Sequence, residues 1–516
     1  MVSDQYRILV NDHEFLGESV LDEKSVLYFR EDERLSLKSQ KISSAIVHDD
    51  LETILSLGKS KDGFAKHELR RPLWLKILKS RLSLDVYGEM GKDGAELPQH
   101  SDEHQVSLDV KRSFGDVQDS VTKAFLRQAL EQTVIRVLRT FPQLSYYQGY
   151  HDVVAVFVLV FMHTQRSEDE ADLSDSTTSE TPSTDGSEYH GAMSSSSIST
   201  KLSDDSVLSI DSQQLFESVA IFTLLYLRDF MMNSLTFTID QLALIPTIVK
   251  KNDPQLYNTF QLNEIDPFFA LSSVLTLFSH DLRPQSNESL SIVFQIFDLV
   301  IASNSMLMPL IIYSNLLLAK KDDLLTRLHE NLENFDNDID LIHGVIQQEM
   351  IVGSSVRLWN EVLEASRDSS DKLTPEMKKI VNKYSVLLTE SQVPVSIEDA
   401  LTWLGNEIKL NEIKSTSGHR TSTSKKPLST VTKWRIAATR GGPFVIRMSL
   451  MVGIAAILLK LYMRSLETHA DYHIFPLRSC LEQLKALKFA GLQQPPKIWL
   501  DPLKSVLKNI GRPFTS

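Results

Sequence analysis

Three short sets of residues in the first half of the chain have the types and spacing to do chemistry. Arg70 and Trp74 lie four apart in LRRPLW, Asp109 and Arg112 lie three apart, and Gln148 lies in SYYQGY. A guanidinium is permanently charged and presents its N–H donors in a fixed fork, which suits phosphate or carboxylate. A glutamine amide donates and accepts hydrogen bonds at once. Each set alone predicts only a structural role, because Asp-x-x-Arg pairs are usually helix-surface ion pairs.

The elements that would position these residues are predicted to be helices. Apolar residues recur at helical spacing from about Ile42 to about Leu404. No run alternates apolar and polar residues long enough to indicate a sheet, so we predict an all-α fold. The charge-free run 299–319 carries Asn304 and Pro309 near its middle. We interpret it as two short buried helices joined at a turn, because both residues would disrupt a membrane span.

Composition excludes some classes of function. The 516 residues carry a formal net charge of −13, which disfavours nucleic acid as a partner. The single cysteine, Cys480, leaves no intramolecular disulfide and favours a reducing compartment. The first ten residues, MVSDQYRILV, lack a basic segment followed by an apolar one, so no cleavable signal peptide is expected.

Composition also predicts how the chain is organised. Residues 165–211 include SEDEADLSDSTTSETPSTDGSE, which has too few apolar side chains to offset its ordering entropy, and are predicted to be a disordered acidic insertion. The remaining predicted regions are a poorly ordered leader over 1–40, a helical domain over 41–404 that contains the insertion, a polar linker over 405–440, a membrane helix over 443–463 and a tail over 464–516.

The apolar segment 443–463 is long enough to cross a membrane. Arg447 and Lys460 stand near its ends, where long side chains reach the headgroups. A basic stretch precedes the segment and places that side in the cytosol, since cytoplasmic flanks of membrane helices are rich in Lys and Arg. An interfacial or buried amphipathic helix is the alternative, because the uncharged centre is short.

The order and spacing of the three sets resemble the fingerprint motifs of the TBC family, the Rab GTPase-activating proteins. The motifs are Arg-x-x-x-Trp, Val-x-x-Asp-x-x-Arg and Tyr-x-Gln-Gly, and the similarity covers about 51–404. FFALSSVLTLFSHDL and FQIFDLVIASNSMLMPLIIYSNLLLA are similar to the C-terminal lobe of that domain. Val106 stands where isoleucine is usual, and Tyr150 where methionine is common. The resemblance implies a two-lobed helical TBC-type domain.

This resemblance implies a chemical role for two side chains. The chain would accelerate GTP hydrolysis by a Rab-type small GTPase in its GTP form. Arg112 would be an arginine finger supplied in trans, and Gln148 would orient the attacking water. The supporting residues are Asp109, as an ion-pair partner of Arg112, Tyr146 and Gly149, which would shape the loop of Gln148, and Arg70 and Trp74, as scaffold.

The same resemblance bears on cofactors and location. No cofactor of the chain's own is expected, because GxxxxGK[ST] is absent from the sequence and the GTP and magnesium would be bound by the partner GTPase. The wording YYQGYHD, the long insertion and the predicted membrane helix resemble the branch of the family anchored in the endoplasmic reticulum. That similarity implies an endoplasmic reticulum membrane protein in ER-to-Golgi traffic, with its catalytic domain facing the cytosol.

Two other functions compete with this one. A non-catalytic scaffold could bind a Rab at a membrane without accelerating hydrolysis, although the presence of both Arg112 and Gln148 argues against it. A metal-dependent His-Asp phosphohydrolase is the second alternative, because the sequence holds His-Asp dipeptides at 48–49, 151–152 and 280–281. No cluster of histidines at metal-ligand spacing accompanies them in the sequence.

Overall fold

The computed structural model describes residues 23–83, 97–166, 197–202, 206–283, 289–332, 339–350, 354–369 and 372–417. All of them belong to the first of two units into which the chain divides, Met1–Pro427. The second unit, Leu428–Ser516, lies outside the described residues. The described chain is mainly helical, so the prediction of a helical fold is confirmed.

The elements of the first half lead from the N-terminal helix to a small sheet. They are α1 (Glu23–Val47), α2 (Leu51–Lys59), α3 (His67–Lys79), α4 (Glu103–Val110), α5 (Ser120–Thr140), α6 (Tyr150–Phe161), β1 (His163–Arg166), β2 (Ser197–Lys201), β3 (Ser206–Asp211) and α7 (Ser212–Phe222), which continues as a π-helix (Thr223–Leu227) and a 3-10 turn (Arg228–Phe230).

The second half consists of shorter helices and 3-10 turns. They are α8 (Thr236–Leu242), α9 (Leu244–Asn252), α10 (Pro254–Thr259), a 3-10 turn (Pro267–Ala270), α11 (Leu271–Leu275), α12 (Ser279–Leu282), α13 (Ile292–Ser303), α14 (Leu307–Ala319), α15 (Lys321–Leu332), α16 (Ile339–Glu349), α17 (Val356–Asp368), a 3-10 turn (Met377–Lys379), α18 (Val386–Thr389), a 3-10 turn (Glu390–Gln392) and α19 (Ile397–Ser417).

Aspartate side chains begin several of these helices. Asp50 accepts a hydrogen bond from the backbone N–H of Thr53 at the start of α2, and Asp119 accepts one from Thr122 at the start of α5. Asp253 does the same at α10, which has Pro254 in its first turn. Each carboxylate satisfies an N–H that has no partner within the helix, and this fixes where the helix starts.

The core is built around helices that are buried on all sides. In α6 every residue except Asp152 and Ala155 is buried, and α13 and α14 are buried over nearly their whole length. A helix that is apolar all round must lie inside the protein. The chain reverses between α13 and α14 at Asn304, which has a left-handed backbone. The interpretation of 299–319 as two buried helices joined at a turn is therefore confirmed.

A three-stranded antiparallel sheet stands at the ends of the predicted acidic insertion. The strand order is β1-β3-β2, with His163 opposite Ser209 and Ile198 opposite Ile210. The prediction of disorder over all of 165–211, and of a fold without strands, is wrong at these edges. The physical reason is that Leu208 and Ile210 are buried in a core that the composition of the tract did not reveal. Residues 167–196 lie outside the described residues.

Two other predicted boundaries differ from the structure. Helix α1 begins at Glu23, inside the predicted leader 1–40, and buries Lys38 and Ile42 on one face. Helix α19 runs to Ser417, past the predicted start of the linker at 405, and buries Glu407 and Asn411. In both helices polar residues occupy buried positions, so the apolar period is hidden in the sequence.

Candidate functional site

A cleft of about 780 Å³ opens between three segments of the chain. The first is the loop that follows α4, the second is the start of α6, and the third runs from Leu271 to Arg283 through α11 and α12. Arg112 lies on the first segment and Gln148 on the second, and both side chains are exposed. The structure therefore brings the two predicted catalytic residues to one open cleft.

The guanidinium of Arg112 is held by a buried carboxylate. Its guanidinium forms an ion pair with Asp109, one helical turn earlier at the end of α4. The Asp109 side chain is fully buried, whereas the Arg112 side chain is 65% exposed. A guanidinium has donors to spare after one such contact. The ion pair with Asp109 thus restrains the Arg112 guanidinium, and the rest of the side chain remains exposed to the cleft.

Gln148 lies in a loop that is fixed by its neighbours rather than by its own side chain. The Tyr147 hydroxyl donates to the carbonyl of Leu275 over 2.8 Å. Gly149 has a φ of +110°, and a Cβ there would lie 2.8 Å from Cγ2 of Thr276. This position therefore requires glycine on two grounds, its backbone conformation and the space available. The backbone on both sides of Gln148 is consequently fixed against the third segment.

Tyr146 connects the arginine and the glutamine. Its backbone N–H donates to Asp102 over 2.9 Å, and its hydroxyl donates to Asp109 over 2.9 Å. Asp102 precedes α4 and Asp109 lies in its last turn, so this helix holds the loop of Gln148 near both of its ends. Burial, and then the nearby Asp109 carboxylate, raise the pKa of Tyr146 well above its ordinary value. The hydroxyl accordingly keeps its proton and remains a donor to Asp109.

A second set of polar side chains lines the cleft on the second and third segments. Asp152, in the first turn of α6, lies 2.9 Å from Nδ1 of His280 and 3.4 Å from Nε2 of His151. Nδ1 of His151 in turn lies 3.0 Å from the Tyr146 hydroxyl. Burial lowers the pKa of His151, whereas the hydrogen bond to Asp152 raises the pKa of His280. The fingerprint motifs did not single out Asp152, Thr276 or His280.

The three His-Asp dipeptides do not come together in one cluster. The pairs at 151–152 and 280–281 meet at the cleft, while Asp49 forms an ion pair with Lys76 and His48 contacts the carbonyl of Ser44. Across the described ranges, no group of three or more His, Cys, Asp or Glu side chains could hold a metal ion. The metal-dependent alternative gains no support from this geometry.

Arg70 and Trp74 lie in the core and outside the cleft. Both side chains are fully buried and converge on Asp298, which accepts from Nε of Arg70 over 2.9 Å and from Nε1 of Trp74 over 2.8 Å. The Arg70 guanidinium also lies 5.4 Å from the ring centroid of Phe294. This cluster joins α3 to α13, and Asp298 had no signal in the sequence.

The predicted membrane helix, 443–463, lies outside the described residues. Within the residues that the structure describes, no helix combines the length and the apolar character needed to cross a bilayer.

Comparisons with known proteins add to this geometry. A family model for the Rab-GTPase-TBC domain matches residues 67–325. The chain is 34% identical to the GTPase-activating protein GYP8 of Saccharomyces cerevisiae, over 92% of this chain and 91% of that protein. It is 25% identical to TBC1 domain family member 20 of Homo sapiens, over 58% of this chain and 59% of that protein. Among solved structures, the Chlamydomonas flagellar RabGAP TBC domain matches 66% of this chain and 95% of its own at 14% identity, with a TM-score of 0.38.

Proposed function

The chain belongs to the Rab-GTPase-TBC domain family, and we propose that it accelerates GTP hydrolysis by a Rab-type small GTPase through Arg112 and Gln148. The observation that carries the proposal is that both side chains are exposed and line the same cleft. Relatives bear the names of GTPase-activating proteins, which supports the same class of activity. The GTP-loaded partner would dock over the cleft and present its nucleotide to these two groups.

Arg112 supplies positive charge to the reaction. In phosphoryl transfer, negative charge spreads over the γ-phosphoryl oxygens in the transition state, so catalysis depends on charge stabilisation and positioning. The ion pair with Asp109 engages part of the guanidinium and leaves the 65% exposed remainder for a phosphate. Asp109 is buried and also accepts from Tyr146, so it holds Arg112 in a fixed position. Arg112 therefore loses little conformational entropy when the GTPase binds.

Gln148 orients the attacking water. Its amide oxygen accepts from the water and its NH₂ donates to a phosphate oxygen, which no carboxylate or ammonium group does at once. The GTP and the magnesium ion that bridges its phosphates belong to the partner GTPase, and the chain contributes no cofactor of its own.

We also propose a location for the chain, because it has a predicted membrane helix and resembles the branch of the family anchored in the endoplasmic reticulum. The segment 443–463 anchors the protein in the endoplasmic reticulum membrane, with residues 41–404 on the cytosolic side, in ER-to-Golgi traffic. Anchoring raises the effective concentration of lipidated GTPases on the same surface. Imaging tests this: a chain without residues 439–516 should become diffuse, and retained localisation would contradict the anchor.

The catalytic proposal is tested by phosphate release from a panel of GTP-loaded Rabs with the purified chain. Arg112→Ala and Arg112→Lys should each reduce the stimulated rate by about 10³-fold or more, and Gln148→Ala by about 10²-fold. The matched controls are Arg357→Ala, an 89% exposed arginine paired with Glu361 outside the cleft, and Gln255→Ala, an exposed glutamine on α10. Both controls should keep the full rate.

Two outcomes would contradict the proposal. Unchanged stimulation by the Arg112→Ala protein would remove the arginine finger. Binding of GTP-loaded Rabs by the natural chain without any turnover would favour the scaffold function instead. Catalytic amounts of protein against excess Rab separate the scaffold from the activator.

A further inference from the structure

We propose that His280, paired with Asp152, is a positioning residue for Gln148. The inference rests on the proposed function of the cleft, and it adds a residue outside the three fingerprint motifs. His280 lies on α12 in the third wall segment, 132 positions along the chain from the glutamine. Its imidazole Nδ1 is 2.9 Å from Oδ2 of Asp152, four residues after Gln148.

Gln148 does not hold itself in place. Among the residues that the structure describes, its amide makes no hydrogen bond, and its side chain is exposed. A free glutamine carries rotamer entropy that must be lost before it orients a water. The position of the Gln148 side chain is therefore determined by the backbone of the loop and by the elements that contact this backbone.

The third wall segment holds the loop of Gln148 at three successive points. Tyr147 donates to the carbonyl of Leu275, Gly149 lies against Thr276, and Asp152 is bonded to His280. The first two contacts flank Gln148 directly. The third contact fixes the first turn of α6, whose direction determines how the loop enters the helix.

The backbone around α12 is shaped so that His280 faces α6. Leu277 and Phe278 both have positive φ values, +49° and +64°, although neither is glycine. Both side chains are buried, and their packing in the core holds the backbone in this unfavourable conformation. Two successive left-handed residues therefore separate α11 from α12. In α12, His280 is bonded to Asp152 while Asp281 accepts a hydrogen bond from Ser273.

The charges around His280 favour the pairing with Asp152. The groups that face it are Asp152 and His151 of α6, together with Asp281 and Arg283 of its own segment. Asp152 lies in the first turn of α6, and its carboxylate contacts the rings of His280 and His151. Its carboxylate is therefore committed to the two histidines, and the contact to His280 is the shorter one.

The test is a set of variants of the full chain assayed with GTP-loaded Rab in single-turnover hydrolysis. We measure the rate at saturation and the chain concentration that gives half of it. His280→Ala should lower the saturated rate about tenfold and leave the half-saturating concentration within about twofold. His280→Asn should recover part of the rate, because its amide can still donate to Asp152. His329→Ala, an exposed histidine on α15, is the matched control and should have no effect.

A double variant connects the effect to Gln148. If His280 acts through the glutamine, His280→Ala combined with Gln148→Ala should be no slower than Gln148→Ala alone. Additive losses would overturn the inference. So would a higher half-saturating concentration with an unchanged saturated rate, because His280 would then be a docking contact. If Gln148→Ala itself keeps the full rate, the proposed function fails, and this result is distinct from a failure of His280.

Discussion

Two arginines of this chain, Arg70 and Arg112, each pair with an aspartate, and their surroundings differ in nearly every other respect. Arg70 is fully buried, and its partner Asp298 also binds the backbone N–H of Phe64 and the indole of Trp74. Arg112 is 65% exposed and contacts the buried Asp109 alone among the described carboxylates. The same two residue types therefore connect buried helices in the core and present an exposed guanidinium at the cleft.

The difference shows how burial assigns a role to a charged pair. In the core, removing Asp298 would leave the buried Arg70 guanidinium as an uncompensated charge. At the cleft, the Asp109 carboxylate is buried, whereas the Arg112 side chain remains exposed to solvent. A change in the Arg70 region should alter folding first, and a change in the Arg112 region should alter the rate first.

The sharpest test of this contrast is Asp298→Ala. Breaking the buried pair should lower the free energy of unfolding by about 3–5 kcal/mol, because Arg70 and the indole of Trp74 both lose an acceptor. Arg112→Ala is the matched change in the cleft and should cost about 2 kcal/mol, less than Asp298→Ala, since the buried Asp109 still accepts from Tyr146. Denaturant unfolding followed by circular dichroism measures both. Equal losses would break the comparison.

Gly149→Ala should have the next largest effect. A side chain at a φ of +110° is strained, and its Cβ would meet Thr276 at 2.8 Å, so we expect a loss of about 1–3 kcal/mol. The hydrolysis rate should fall as well, because the strain would be relieved by moving the loop of Gln148. Gly115→Ala is the control: Gly115 lines the same cleft and has no atom within 4 Å of the added Cβ. A normal rate for Gly149→Ala would show that the loop tolerates displacement.

Tyr146→Phe removes one hydroxyl between the two catalytic side chains. Asp109 loses a donor in a buried position, so we expect a cost of about 1.5 kcal/mol and a several-fold lower hydrolysis rate. Tyr150→Phe is the control, because its hydroxyl bonds to Thr223 at 2.6 Å and does not contact Asp109. It should lose stability without losing rate. The opposite pattern would place the connection elsewhere.

The smallest effect concerns pH. The hydrogen bond to Asp152 raises the pKa of His280 above its ordinary value of 6.5, so the protonated pair stabilises the fold at low pH. This contribution is fully present below 6.5 and is lost as the pH rises through the raised value. The difference in unfolding free energy between the natural chain and His280→Ala should therefore be larger at about pH 6 than at about pH 9. A constant difference would mean that the pairing does not depend on the charge of His280.

The sequence predicted what is local and missed what is distant. Helical spacing and short motifs pointed to the helices and to Arg112 and Gln148, because neighbours on one helix turn are visible in the order of residues. Asp298 contacts Arg70 across 228 positions, and no sequence period reports such a contact. The sequence showed His280 only as part of a His-Asp dipeptide, and its contact with Asp152 follows two left-handed residues that nothing in the sequence indicates.

The wrong boundaries share one physical cause. Lys38 in α1 and Glu407 in α19 are buried on helix faces, where composition indicates a solvated leader or linker. Each finds a partner in the tertiary structure: Lys38 donates to Ser60 over 2.8 Å, and Glu407 accepts from Asn382 over 2.9 Å. Hydropathy cannot detect a polar side chain that is satisfied by a distant residue.

The sheet at the ends of the acidic tract has a practical consequence for labelling. Strands β1 and β2 are both hydrogen bonded to β3, so the sheet fixes the positions of Arg166 and Ser197 relative to each other. Lengthening a closed loop costs only about 0.6 kcal/mol for each doubling. A fluorescent reporter spliced between these strands should therefore change the unfolding midpoint of the helical body very little.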